Sequence, residues 1–101
     1  MNQMQQMLMQ AQKMQRDLKK AHDELDAKEF KVSKNGLVDV VVMGDKSIKE
    51  IKISSDALAP ENAEMIEDAL KMALAEAFAA IDKADAEIEE KVTGRPGGLG
   101  F

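Results

Sequence analysis

The chain has no cysteine, no tryptophan and no tyrosine, and only one histidine, two prolines and three phenylalanines among its 101 residues. Without cysteine there is no disulfide framework, no thiolate nucleophile and no Cys-ligated zinc or iron–sulfur centre. The single histidine, His22, stands between Ala21 and Asp23 in a charged run, where a solvated side chain is expected. Alone it builds neither a catalytic triad nor a His-rich metal site. No Walker-type phosphate loop, dinucleotide fingerprint or calcium loop occurs. The many carboxylates lack the apolar setting that raises the pKa of a general acid. The sequence therefore reads as a non-enzyme, with no catalytic residue, no cofactor and no metal.

Long apolar runs are missing too. The richest stretch, Ala69 to Ile81, is broken by Lys71 and Glu76 and is too short to span a bilayer. The first ten residues carry no basic leader and include four glutamines. A cytoplasmic protein with no membrane partner is expected.

Positive charge is also in deficit, with 14 Lys and Arg against 19 Asp and Glu, a net of −5. That argues against coating a polyanion by bulk basicity. By region, residues 1–28 hold five basic and four acidic groups, residues 29–55 five and four, and residues 56–101 four and eleven. Acidity is thus concentrated in the second half, which leaves the first half free to face a polyanion.

What the chain does have is alanine and methionine, 14 and 8 residues within an apolar share of 45%. Such side chains suit close helix packing better than a large ligand pocket. From Asn2 to about Lys28 no Gly or Pro intervenes, and Met4, Met7, Ala11, Met14, Leu18, Ala21 and Leu25 recur at alternating steps of three and four. This is a heptad seam on a long helix, which calls for a partner helix from the same chain or a second copy. Next, Glu29 to Lys34 alternates in polarity, and Asn35-Gly36 supplies the two positive-φ residues of a type I′ hairpin turn. Leu37 to Met43, apolar on both faces, reads as a central strand. After Gly44-Asp45-Lys46-Ser47, Ile48 to Ser54 gives a third strand with Ile51 and Ile53 on one face. The result is an antiparallel meander.

Pro60 suits the start of a second helix that runs to about Lys91, with Ile66, Leu70, Ala73, Ala77, Ile81, Ala84 and Ile88 on one stripe. Around Ala69 to Ile81, including Phe78, this helix is apolar almost all round, so more than one side needs cover. The fold class is α+β, an α-β-β-β-α protomer in one domain over residues 1–92, with a Gly-rich tail over 93–101. One copy would leave apolar surface on the second helix and on an outer face of Val38, Val40 and Val42, which a symmetric homodimer would bury.

Opposite the seam of the first helix, Lys13, Arg16, Lys19 and Lys20 form a short basic strip, weakened by Asp17 and Asp23 nearby. It spans roughly 10 Å of helix axis, enough for two or three successive phosphates. Lys91 and Arg95 lie at the far end of the second helix. With no aromatic residue in a basic cluster, base stacking is not expected, and contact with a nucleic acid would run through its backbone. All six glutamines lie on the first helix, where they could help to position phosphates.

Met4-Gln-Gln-Met7, Gln10-Ala-Gln-Lys-Met-Gln15, the run Asn35-Gly36-Leu-Val-Asp-Val-Val-Val-Met-Gly44 leading into Ile48 to Ile53, and Gly97-Gly98-Leu99 together resemble the YbaB/EbfC nucleoid-associated family. The resemblance covers the whole chain in order. It implies a tweezer-like homodimer that binds double-stranded DNA with little sequence specificity, alters its conformation, and affects nucleoid organisation, gene expression and DNA protection. It places Lys13 and Arg16 first among DNA-binding residues, followed by Lys19, Lys20, Lys91 and Arg95. The chain departs from the family pattern at Ala79-Ala80, where a polar turn is usual, and in a shorter tail. The competing reading is a protein-interaction adaptor that uses the second helix or the tail, with other proteins as partners and DNA contact incidental.

Overall fold

The computed structural model describes residues 2–94. The elements are α1 (Gln3–Asp26), β1 (Glu29–Lys34), β2 (Val38–Met43), β3 (Ile48–Ile53) and α2 (Ala63–Thr93), with short 3-10 turns at Ser55–Ala57 and Pro60–Asn62 before α2. This is the α-β-β-β-α order expected from the sequence. Pro60 opens a 3-10 turn rather than α2 itself, and Asn62 fixes that turn by donating its side-chain amide to the Ala57 carbonyl at 2.9 Å.

The chain divides into two compact units, residues 26–82 and residues 2–25 with 83–94. In the first, the sheet order is β1-β2-β3, both pairs antiparallel. Asn35 and Gly36 take φ of +54° and +66°, the left-handed pair of a type I′ turn, and Leu37 N–H closes it on the Lys34 carbonyl at 2.8 Å. Lys34 pairs with Val38, so Leu37 is left over as an extra residue. The second hairpin closes through Lys46 at φ +71°, whose N–H donates to the Met43 carbonyl at 2.8 Å. A register shift between Val41 and Val42 puts a bulge into the β2–β3 pairing.

Strand β2 carries the core. Val38, Val40 and Val42 are 2%, 1% and 0% exposed and lie in one cluster with Ile66, Ala69, Ala73, Ala77 and Ile81 of α2. This corrects the expectation that these valines present an outer face. They point inward, and the outward side of β2 is Asp39, Val41 and Met43. The helix meets them with alanines at 69, 73 and 77, each at most 2% exposed, so small side chains make up the middle of its buried stripe between Ile66 and Ile81. Leu70 and Phe78, read from the sequence as core, are only partly buried; they flank the cluster with Phe30, Val32, Leu37 and Leu74.

Cover is uneven across the sheet. The β1 side is closed by that flanking set, whereas Ile51 and Ile53, paired with Val40 and Val38 and so on the same face, stay 42% and 38% exposed. Ile48, Leu58, Met65 and Met72 of the same unit are exposed as well. Two ion pairs fasten the hairpins to α2: Lys34 to Glu76 at 2.8 Å and Lys46 to Asp82 at 2.7 Å. The outer face of the sheet is a lattice of opposite charges, in which Lys49 bonds Glu29 across β2, Lys31 stands 3.8 Å from Glu29, and Lys52 pairs with Glu50 at 3.1 Å.

In the second unit, burial rises along α1. Residues 2–17 are exposed, Leu18, Ala21 and His22 are half-buried, and Leu25 is buried. Only the last three positions of the heptad seam therefore have cover; Met4 and Met7 are 79% and 65% exposed. Asn2 caps α1 by accepting the Gln5 N–H at 2.8 Å. Helix α2 stops at Gly94, whose φ of +72° and N–H bond to the Glu90 carbonyl at 2.8 Å form a left-handed C-terminal cap. Thr93, assigned to the tail from sequence, is thus helical. Residues 95–101 lie outside the described residues.

Two outcomes follow from this packing. Ala73→Leu should destabilise the protein by about 1–3 kcal/mol, because the larger side chain cannot enter without displacing β2. The exposed neighbour change Ala75→Leu should stay within about 0.5 kcal/mol, and chemical denaturation of both variants separates the two cases. The second concerns pH. The Lys49 ammonium, through its hydrogen bond and its charge, holds the Glu29 carboxyl below its ordinary value of 4.5, and Glu29 holds Lys49 above 10.5. A lowered carboxyl stabilises the fold above the unfolded value and ceases to as pH falls through the folded one; a raised ammonium does the reverse at the alkaline end. The melting-temperature difference between the wild type and Glu29→Gln should thus be flat from about pH 5 to about pH 10 and shrink outside that window.

Candidate nucleic-acid interface

The basic strip survives folding as an exposed face of α1. Lys13, Arg16, Lys19 and Lys20 all lie on the open part of the helix, before or just past the point where the seam becomes covered. Their spacing decides which of them act together. Lys13, Arg16 and Lys20 are three and four residues apart and so stand one above another, while Lys19 is rotated to one side.

The four cations are not equally available. Lys13 Nζ lies 3.2 Å from Asp17 Oδ2, and Lys19 Nζ lies 2.7 Å from Asp23 Oδ2. The Asp23 carboxylate, by hydrogen bond and then by charge, raises the Lys19 pKa above its ordinary 10.5. Among the described residues, Arg16 and Lys20 have no ion-pair partner. The centre of the strip is therefore an unpaired i,i+4 pair of cations, with a neutralised lysine beside each.

Lys91, in the last turn of α2, is exposed and belongs to the same unit as α1. Arg95 lies outside the described residues. The glutamines are exposed, and Gln5 returns the Asn2 cap by accepting the Asn2 N–H at 3.4 Å.

His22 departs from the sequence reading. It is half-buried, with Nε2 2.9 Å from Asp85 Oδ1 and 3.5 Å from Glu89 Oε1, and so ties α1 to α2. Two features of the sequence pointed there: His22 directly follows Ala21 of the seam, and Asp85 and Glu89 stand four apart on α2, so both can reach one partner.

The sheet and its turns offer less to an anion. The lysines of the sheet face are matched by Glu29 and Glu50, and Lys34 and Lys46 are spent on α2. Lys28 lies over the Phe30 ring, 5.4 Å from its centroid. Among the described residues no group of His, Asp and Glu is placed to hold a metal ion, and no helix is long and apolar enough to cross a membrane. A strip of cations on an open helix, with amides ahead of it, can neutralise phosphates along a backbone.

Comparison with known proteins points the same way. Residues 1–96 match the model of the YbaB/EbfC DNA-binding family. A nucleoid-associated protein of Ruminiclostridium cellulolyticum is 38% identical over 94 residues, covering 92% of this chain and 82% of that one. One of Enterococcus faecalis is 36% identical over 99 residues, covering 96% and 95%, and one of Mycoplasmopsis pulmonis is 38% identical over 86, covering 85% of each. With a match that runs from the first turn of α1 past the end of α2, the chain belongs to the YbaB/EbfC DNA-binding family.

Proposed function

We propose that the protein binds duplex DNA as a homodimer, with little sequence specificity, and alters the conformation of the DNA it holds. The observation that carries this reading is the exposed α1 strip, with Arg16 and Lys20 unpaired among the described residues and Lys13 and Lys19 beside them. Such a surface meets phosphates rather than base edges, so affinity exceeds selectivity. Lys91 extends the contact at the end of α2, and Arg95, outside the described residues, is counted with it as DNA-binding in this reading. A net charge of −5 confines binding to this surface, since the acidic remainder repels the backbone. Residues 1–92 act as one functional domain in this reading, with the Gly-rich tail outside it, and the protein works in the cytoplasm at the nucleoid, affecting its organisation and gene expression and protecting the DNA.

The dimer is supported by the uneven cover of the sheet. Ile48, Ile51 and Ile53 lie on its inner side next to the buried valines of β2, yet they remain exposed, as do Leu58, Met65 and Met72. A second copy placed there buries in one step the apolar surface that α2 leaves open. It also presents two basic strips to one duplex, and two separated contacts are what bending or gripping requires.

Two measurements test this reading. Binding of a random-sequence duplex should weaken steeply with added salt, and Arg16→Glu with Lys20→Glu should abolish it while sedimentation still reports a dimer; wild-type affinity in that double variant would overturn the assignment to α1. Ile51→Asp with Met72→Asp should yield a folded monomer by sedimentation, and a dimer of unchanged strength would place the interface elsewhere.

A further inference from the structure

The proposal rests on the α1 reading above and concerns how the strip is regulated by its own helix. The two ion pairs run in the same sense: cation first, carboxylate four residues later, Lys13 to Asp17 and Lys19 to Asp23. For helix stability this is the less favourable order, since an acid placed four residues before a base suits the helix dipole better. Both pairs are also open to water, with the lysine side chains 72% and 78% exposed and the aspartates 48% and 60%. Exposed pairs of this kind add little to folding. Helix stability therefore does not account for them, and their strongest effect falls on whatever approaches the strip.

We propose that Asp17 and Asp23 are built-in competitors for phosphate. Each occupies a lysine that would otherwise neutralise a DNA phosphate, so α1 of the free protein offers only Arg16 and Lys20. Binding through Lys13 or Lys19 requires the phosphate to displace a carboxylate that remains within reach. The two aspartates are positioning residues in this scheme. They cap affinity and hold the net number of phosphates neutralised by α1 near two per protomer, where its four cations would allow four. Weak contact of this kind lets the protein exchange rapidly along a duplex.

The arrangement predicts a specific salt signature, because each net phosphate contact contributes about −0.9 to the slope of log affinity against log salt. Removing both carboxylate charges frees two more contacts. Asp17→Asn with Asp23→Asn should therefore tighten duplex binding about ten-fold at roughly 0.1 M salt and steepen the slope by about 1.8 per protomer. Asp17→Glu with Asp23→Glu keeps charge and spacing and should behave as the wild type. As a control for bulk charge, Glu61→Gln with Glu64→Gln removes two charges from the 3-10 turn before α2 and from the first turn of α2, and should leave the slope unchanged.

Circular dichroism should show equal helix content throughout, so that the readout is binding alone. An unchanged slope in the Asn pair, or an equal gain in the Glu61 and Glu64 variant, overturns the inference. The Arg16→Glu with Lys20→Glu variant separates the two levels of the argument. If it loses binding, a negative result in the Asn pair falls on the competitors alone; if it binds as the wild type, the α1 site and the competitors both fall.

Discussion

The burial of α2 against β2 is the constraint on which the rest depends. Three valines on the strand and three alanines on the helix, joined by Ile66 and Ile81, form one buried cluster. With only three phenylalanines in the chain, aromatic bulk supplies little of the core, and aliphatic side chains take its place. Cover by the helix is limited in breadth. The β1 side of the cluster is closed by its flanking residues, while the isoleucines of β3 remain open.

The same economy shows in how charge is used. Lysines on the sheet and its turns are committed to carboxylates: Lys34 and Lys46 hold the hairpins to α2, and Lys49 and Lys52 complete the lattice on the outer face. His22 is committed as well, to Asp85 and Glu89. On α1, Arg16 and Lys20 stand one turn apart without an ion-pair partner among the described residues, whereas the unpaired Lys71, Lys83 and Lys91 of α2 are spread along a helix rich in carboxylates. In a protein of net −5 the electrostatic character of a surface is set by these local pairings, and the total says little about where a polyanion can land.

Much of this was legible in the sequence. The α1 seam shows as steps of three and four, and Asn35-Gly36 fixes the first hairpin through its left-handed backbone. The facing of β2 was harder, because Leu37 to Met43 is apolar at every position but one and period-two alternation barely shows. Asp39 alone marks the outward side, and it places Val38, Val40 and Val42 inward. A four-residue step from Ile66 puts Leu70 on the buried stripe, whereas a three-residue step reaches Ala69, which is the buried residue, and Leu70 flanks the cluster. The role of His22 depends on a residue 63 positions later in the chain, so its place beside Ala21 of the seam shows that it can face another helix but not which carboxylate it meets. The basic strip was visible as spacing, and its division into paired and unpaired cations follows once α1 is a continuous helix.

The bulge between Val41 and Val42 bears on the geometry of self-association. β3 is an edge strand, and a regular apolar edge invites another strand to add to it, then another, without limit. Here the irregular register twists the edge, and Lys49 and Lys52 stand along it, so backbone-to-backbone addition is discouraged while the isoleucine face stays available. Stickiness is thus moved from a direction that propagates to one that two copies can exhaust between them. In the proposed dimer that contact closes on itself, whereas growth along the edge would build a fibre.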